Sequence, residues 1–402
     1  MLTFQYTARN PANGQKVVAE VQADNEQAAA KLVRAEGLTP IDITPVKTKG
    51  LGALSRVSTK ERVLFSRQMS TLINAGLPLI QSLNNVNGQQ TNKHFQSIIG
   101  KVIGSVEAGN ALSTAMAEHP KVFNKVYISM IAAGEASGTL DTSLQRLADQ
   151  QEKDADIVAK VRGAMVYPAI VVLVMILVVG FMLVKVLPQV QVLYEGFPGA
   201  DLPLVTVVLL AMSSILRKFW WIAVIVLVVA SALLGKWART GPGKEVVDKF
   251  KMKAPLLGVL FMKMYMARFA RTGSTLISSG VPLIQMLEIT AEAVNNVHIE
   301  RSIYKAIEKV KSGKSLADAL DGDPNFLPLL PNMLRIGEQS GSIEQMLSKT
   351  ADYYEKEVDN QIKNIQTIIE PVMMVLLGIV AFIIVAAVLL PVYGLAGKSF
   401  TA

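Results

Sequence analysis

Residues 65–83, FSRQMSTLINAGLPLIQSL, recur 204 positions later as residues 269–287, FARTGSTLISSGVPLIQML, with 12 of the 19 paired positions identical. A duplication at this level constrains the fold before any single helix is assigned, because whatever the first copy folds into, the second must repeat. Each stretch reads as helix, Gly-x-Pro turn, helix. Gly76 and Gly280 supply the left-handed stop of the first helix, and Pro78 and Pro282 sit where the next begins.

The repeat extends well beyond these segments. Gly134-Glu135-Ala136-Ser137-Gly138 returns as Gly337-Glu338-Gln339-Ser340-Gly341, and Ala148, Asp149, Glu152 and Lys153 return as Ala351, Asp352, Glu355 and Lys356. Pro168 and Pro188 return as Pro371 and Pro391. Within the first copy, Ser58-Thr59-Lys60-Glu61 is a capping box that starts a helix. Further helices are predicted over 95–108, 112–118 and 124–133, the last ended by Gly134, and one from Leu140 that meets no breaker through Val161.

With 51% hydrophobic and 18% charged residues, the chain is more apolar than a soluble protein, and the excess is concentrated in long runs. Residues 164–187 and 372–390 are each long enough to cross a hydrocarbon core of ~30 Å. Pro168 and Pro371 mark where the chain enters these spans, and Pro188 and Pro391 are expected to end them. A third apolar region, 202–234, is interrupted by Arg217 and Lys218. Its second part is expected to span and its first part to lie along the outer surface.

Lys236, Arg239, Lys244, Lys249, Lys251 and Lys253 crowd the exit of that middle span, and Lys153, Lys160 and Arg162 precede the first. The loop 189–216 contains no Lys or Arg. The positive-inside rule then puts both helical domains and the N-terminus in the cytoplasm and the C-terminus outside. Two copies separated by one extra span have parallel topology. That arrangement, with no carboxylate in mid-span, argues against an inverted-repeat transporter or channel. A net charge of +8 suits anionic headgroups, and no basic run interleaved with aromatics points to nucleic acid.

Chemistry is hard to place. There is no cysteine, the three histidines (His94, His119, His298) are scattered, and no Gly-x-x-x-x-Gly-Lys-Ser/Thr loop or Gly-x-Ser-x-Gly elbow occurs. The strongest polar candidates are Glu135 and Glu338. Each is expected to cap the helix that begins after its Ser-Gly, with partner docking as the alternative. Glu152 and Asp156 recur as Glu355 and Asp359, four residues apart on one helical face. Such a pair can contribute to a divalent-cation site, although a solvated face accounts for it as well.

Residues 1–46 read as a separate small module: a hairpin around Asn13-Gly14, a helix over 25–36 stopped by Gly37, and a returning strand at 38–43.

Taken together, Phe-x-Arg-Gln-Met (65–69), Gly-x-Pro-Leu (76–79), Gly-Glu-x-Ser-Gly (134–138), Met-x-Tyr-Pro (165–168), Leu-Pro-Leu-Val-Thr (202–206) and the second copies resemble the bacterial type II secretion F / type IV pilus assembly platform family. The second copy departs where Gln68-Met69 becomes Thr272-Gly273. The resemblance implies a non-enzymatic, multi-pass inner-membrane platform, most like the type IV pilus branch, with the type II secretion platform as the alternative. The implied partners are a hexameric assembly ATPase, pilin or pseudopilin subunits, inner-membrane alignment-complex proteins, the lipid bilayer and further copies of the chain. No cofactor is implied except calcium in the first domain, which Glu152 and Asp156 would hold. Arg67 and Arg271, from the Phe-x-Arg motif, join the two glutamates as docking candidates.

The expected fold is an all-α membrane protein: two duplicated cytoplasmic helical bundles, three transmembrane helices and a small α+β N-terminal module. Its predicted layout is module 1–46, linker 47–57, first bundle 58–163, span 164–188, extracytoplasmic loop 189–216 with an apolar helix, span 217–237, second bundle 238–370, span 371–391 and tail 392–402.

Overall fold

A computed structural model describes residues 2–9, 16–23, 26–35, 37, 39–45, 57–189, 192, 204–238, 240–255 and 257–399. All of the predicted linker 47–57 except its last residue, and most of the loop preceding Leu204, lie outside these residues.

The N-terminal segment contains strands β1 (Leu2–Arg9), β2 (Lys16–Ala23) and β3 (Thr39–Pro45) and helix α1 (Glu26–Ala35). The sheet order is β2-β1-β3, both pairings antiparallel, with Leu2 opposite Ala23 and a register shift between Thr7 and Ala8.

The first copy comprises α2 (Thr59–Asn74), α3 (Leu79–Gly88), α4 (Lys93–Glu107), α5 (Leu112–Ala117), α6 (Lys125–Ser137) and α7 (Leu140–Phe181). The capping box is formed: the Glu61 amide donates to Ser58 Oγ at 3.2 Å, and the Ser58 amide to Glu61 Oε2 at 2.6 Å. After α8 (Leu204–Trp237) and α9 (Gly241–Lys253), the second copy repeats the set as α10 (Leu257–Ser278), α11 (Leu283–Val294), α12 (Val297–Lys311), α13 (Leu316–Leu320), α14 (Leu329–Ser340) and α15 (Ile343–Ser399). The correspondence reaches single aromatic pairs. Phe65 packs on Phe123 at 5.9 Å between ring centroids, and Phe269 on Phe326 at 5.6 Å.

Two boundaries differ from the sequence reading. Helix α6 runs through Gly134 and ends at Gly138, whose φ of 70° is the left-handed stop, and α14 likewise ends at Gly341 with φ 67°. Gly134 serves a different purpose. A Cβ there would lie 2.6 Å from Ser143 Oγ, and one at Gly337 would lie 2.9 Å from Ile343 Cα, so each glycine lets two helices touch. The second difference is at Pro391, which does not end its helix, since α15 continues to Ser399. Within lipid, neighbouring helices and local adjustments can satisfy the backbone groups that a proline frees.

Among the described residues, two helices are long and apolar enough to cross a membrane, Leu140–Gln189 and Ile343–Leu389. Both run unbroken from a bundle into the apolar stretch, as the absence of breakers predicts, with Pro168 and Pro371 inside them. The middle apolar helix is broken. Its arms Val207–Phe219 and Val224–Trp237 meet at 80°, with non-helical backbone at Phe219, beside the predicted interruption at Arg217 and Lys218.

Where α7 and α15 approach the apolar stretches, Ala164, Leu260, Val358, Ile362 and Ile365 form one buried cluster, flanked by Ile157, Val161, Leu257 and Met264. The two copies therefore share a core at this junction.

Candidate functional site

The repeated glutamates look inward. Glu135 Oε1 accepts from the Leu112 amide at 2.5 Å, and Oε2 accepts from the Ser113 amide at 3.0 Å and the Ser113 hydroxyl at 2.5 Å. Glu338 accepts from the amides of Leu316 at 2.5 Å and Ala317 at 3.1 Å. Both cap a helix, but it is the short α5 or α13 that lies upstream in sequence, not the helix after Ser-Gly. Ala111, which precedes α5, has no side chain able to cap it, so the free N–H groups there need an acceptor from elsewhere. In the second copy Ser315 accepts from the Asp318 amide and Glu338 from the two amides before it. Gly-Glu-x-Ser-Gly is thus a packing glycine, a remote cap and a helix stop in sequence.

The repeated arginines are internal braces. Arg67 donates from Nε to Glu152 Oε1 at 2.6 Å and from Nη2 to Glu152 Oε2 at 2.5 Å and Asp149 Oδ1 at 2.6 Å. Its bonds to Glu152 and Asp149 hold the guanidinium above its ordinary pKa. Arg271 pairs in the same way with Glu355 at 2.7 Å and with Asp352. Each tie fastens the first helix of a copy to the last, with fork geometry that lysine cannot reproduce. All four side chains, Arg67, Arg271, Glu135 and Glu338, have partners inside their own bundles.

The carboxylates of the candidate cation pair also have partners within the chain. Glu152 is held by Arg67, and Asp156 by Lys160 at 2.8 Å. Among the described residues, no group of three or more His, Asp or Glu side chains is placed to hold a metal.

A charged seam joins the copies along α7 and α15. Lys153 lies 3.3 Å from Glu355 and 3.8 Å from Asp352, and Lys160 lies 3.0 Å from Asp359. Nearby, Arg146 Nη1 donates to the Ser278 carbonyl at 2.5 Å, Lys125 pairs with Glu292, and Arg268 lies 3.7 Å from Asp154. Burial raises the Asp154 carboxyl above the ordinary range, with Arg268 opposing the shift. Between the copies a polar cleft of about 500 Å³ is lined by Arg62, Lys125, Gln150, Asp154, Arg268 and Glu292 among others. The ion pairs are half-exposed and individually weak, roughly 0–1 kcal/mol each. They set register, while the shared apolar core supplies most of the adhesion. The sequence showed Lys153 and Glu355 recurring but not that they meet, because the seam joins residues 202 positions apart.

The departure at Gln68-Met69 also has a packing account. Thr272 is buried and accepts from Gln150 Nε2 of the first copy at 2.9 Å, whereas Gln68 donates to Gln89 of its own copy at 2.8 Å. Met69 and Ser82 correspond to Gly273 and Met286, and the Met69, Ser82 and Met286 side chains are fully buried. A Cβ on Gly273 would stand 3.3 Å from Met286 Sδ. The same core volume is filled by a methionine from the first helix of the copy in one case, Met69 of α2, and from the second helix in the other, Met286 of α11.

In the apolar region α7 changes to a π-helical turn at Met182–Val186, and Ser213 Oγ of α8 donates to the Leu183 carbonyl at 2.5 Å. Val179, Leu183, Leu209, Ile383 and Ala387 line an apolar cavity of about 160 Å³ beside that turn. No sequence signal marked Ser213.

The family model described as type II secretion system (T2SS), protein F, matches residues 65–188 and again 269–391, and the model of that protein's N-terminal domain matches residues 1–44. The chain is 37% identical to the type IV pilus assembly protein PilC of Thermus thermophilus over 99% of both chains. It is 35% identical to the PilC of Pseudomonas aeruginosa, covering 90% of this chain and 97% of that one. It is 33% identical to the type II secretion system protein F of Pseudomonas aeruginosa over 98% of this chain and 99% of that one. The duplicated bundles, each running into a long apolar helix, are the two matches of one family model, and the chain belongs to the type II secretion system protein F family.

Proposed function

We propose that this chain is the inner-membrane platform of a type IV pilus assembly machine, coupling a cytoplasmic hexameric assembly ATPase to the insertion of pilin subunits into the fibre. The observation that carries the reading is the continuity of α7 and α15: each is one helix from bundle into apolar stretch. A rigid element of that kind can pass a turn or push of the bundles to the lipid phase without an intervening hinge. The shared core at Ala164, Leu260 and Val358 makes the two helices move together. The likeness to two proteins named for type IV pilus assembly supports the pilus branch.

In this reading the chain crosses the bacterial inner membrane three times, the bent α8 supplying the middle span. The positive-inside pattern favours cytoplasmic bundles and N-terminus and an extracytoplasmic C-terminus. Further copies of the chain and alignment-complex proteins complete the machine. A type II secretion platform is the second reading, favoured by the 33% identity to a protein of that name over nearly the whole chain.

The test is co-purification of the detergent-extracted chain with the assembly ATPase of its host. Retention of the ATPase on the intact chain supports the coupling. Its absence with and without nucleotide, from a chain that retains its helicity, refutes it.

A further inference from the structure

Helix α9 follows the middle apolar helix after three residues and has no helical counterpart in the first copy, where the residues 204 positions earlier contain β3. Its start is locked to the end of α8. The Thr240 amide and hydroxyl both donate to the Trp237 carbonyl, at 2.9 and 2.6 Å. Gly243 lies so close that a Cβ there would stand 2.0 Å from the same oxygen. One side of α9 is fastened to the second bundle: Asp248, 2% exposed, accepts from the Val297 amide at 3.2 Å, and Glu245 pairs with Arg301 at 2.7 Å.

The opposite side is uncovered. Val246 and Phe250, four residues apart and so on one face, are 54% and 71% exposed, Phe250 being among the most exposed large apolar residues of the protein. Lys249 and Lys253 flank them at helical spacing and are exposed, as is Lys236 in the last turn of α8. An apolar stripe edged by lysines matches an anionic interface in both chemistry and charge, with the aliphatic stems in the acyl boundary and the ammonium groups among phosphates. A helix of 13 residues reaches ~20 Å, so its whole face lies within that distance of the end of α8.

We propose that α9 is an interfacial helix. Val246 and Phe250 insert at the acyl boundary of the leaflet that faces the bundles, and Lys249, Lys253 and Lys236 hold anionic phospholipid headgroups. The proposal rests on the reading that α8 crosses the bilayer. It gives the second bundle a seat on the lipid surface that the first bundle lacks.

The chain has no cysteine, so single substitutions place one spin label at a time on the full-length protein. The labels go on Phe250→Cys, Val246→Cys, Leu227→Cys in the middle apolar helix and Glu308→Cys on the outer face of α12. Each variant is reconstituted into vesicles of phosphatidylethanolamine with phosphatidylglycerol, or of phosphatidylcholine alone. Accessibility to oxygen relative to a water-soluble nickel chelate should be several-fold higher at 250 and 246 than at 308, and highest at 227. Lys249→Glu with Lys253→Glu should abolish the excess at 250 in the anionic vesicles and leave 227 unchanged. A label at 250 as aqueous as that at 308, with 227 deep in lipid, overturns the interfacial helix and leaves the span intact, making that face a protein-docking surface or a bare one. An aqueous label at 227 overturns the span and the proposal with it.

Discussion

Replacing Glu135 by alanine tests whether the repeated motif acts inward as a cap. The substitution removes two amide bonds and one hydroxyl bond, all to a carboxylate, from the start of α5. Bonds to charged groups are worth about 1.5–3 kcal/mol each when a partner is deleted. Their sum overstates the loss, because Glu135 is only half-buried and water can reach the freed amides. A helix cap alone is worth about 1 kcal/mol, and adding one charge-assisted bond gives about 3 kcal/mol for Glu135→Ala. Glu338→Ala has no hydroxyl to lose and should cost only the cap, about 1 kcal/mol. Hydrogen exchange of the amides in 112–117, followed by mass spectrometry on the full chain in detergent, reads this directly. A loss of about 3 kcal/mol accelerates exchange of that segment by on the order of a hundredfold, with Glu135→Gln intermediate. If exchange in α5 is unchanged while ATPase co-purification is lost, the glutamate faces a partner and the cap is incidental.

Other expectations follow from the same contacts. Gly273→Met forces a side chain against Met286 and Leu347 and should destabilise the second bundle by about 1–3 kcal/mol. Adding Met286→Ser, which copies the Met69/Ser82 arrangement, should recover most of that loss, and equal instability of the single and double variants in thermal unfolding would discredit the volume exchange. Arg67→Ala leaves Asp149 and Glu152 without their shared partner, while Arg67→Lys keeps the charge and loses the fork. The alanine variant should separate α2 from α7 in limited proteolysis, and the lysine variant should fall between it and the intact chain. Burial pushes the Tyr127 and Tyr354 hydroxyls above the usual tyrosine pKa. The folded chain therefore keeps two protons that the unfolded chain releases near pH 10, so stability should fall as pH rises past that value. Helicity against pH should show an alkaline transition that moves upward in Tyr127→Phe with Tyr354→Phe.

The parts legible in the sequence were those carried by contiguous residues. The duplication, the Ser58/Glu61 capping box, the turns at Gly76 and Gly280 and the two unbroken apolar helices each sit within a window that local chemistry governs. The motif at 134–138 was visible as a repeat, yet its role was not, because the amides it caps lie 22 and 23 residues upstream. Arg67 and its carboxylates recur in both copies, which was a signal that they pair, but their separation of 82 and 85 positions hides the geometry. The Gln68-Met69 departure was visible as a difference between the copies, without a cause. It proves to be a packing exchange, legible only once residues 69 and 82 are known to touch the same core. The continuation of α15 past Pro391 was missed because a proline that ends helices in water need not do so where lipid leaves the backbone no alternative partner.

The central claim, that the chain is the platform on which a pilus is built, is tested most directly by deleting it in its host and counting surface fibres by electron microscopy, with the intact chain restored from a plasmid. The account predicts that fibres vanish while the pilin subunit accumulates in the inner membrane, and that restoration brings them back. Fibres of normal number and length in the deletion strain would contradict it.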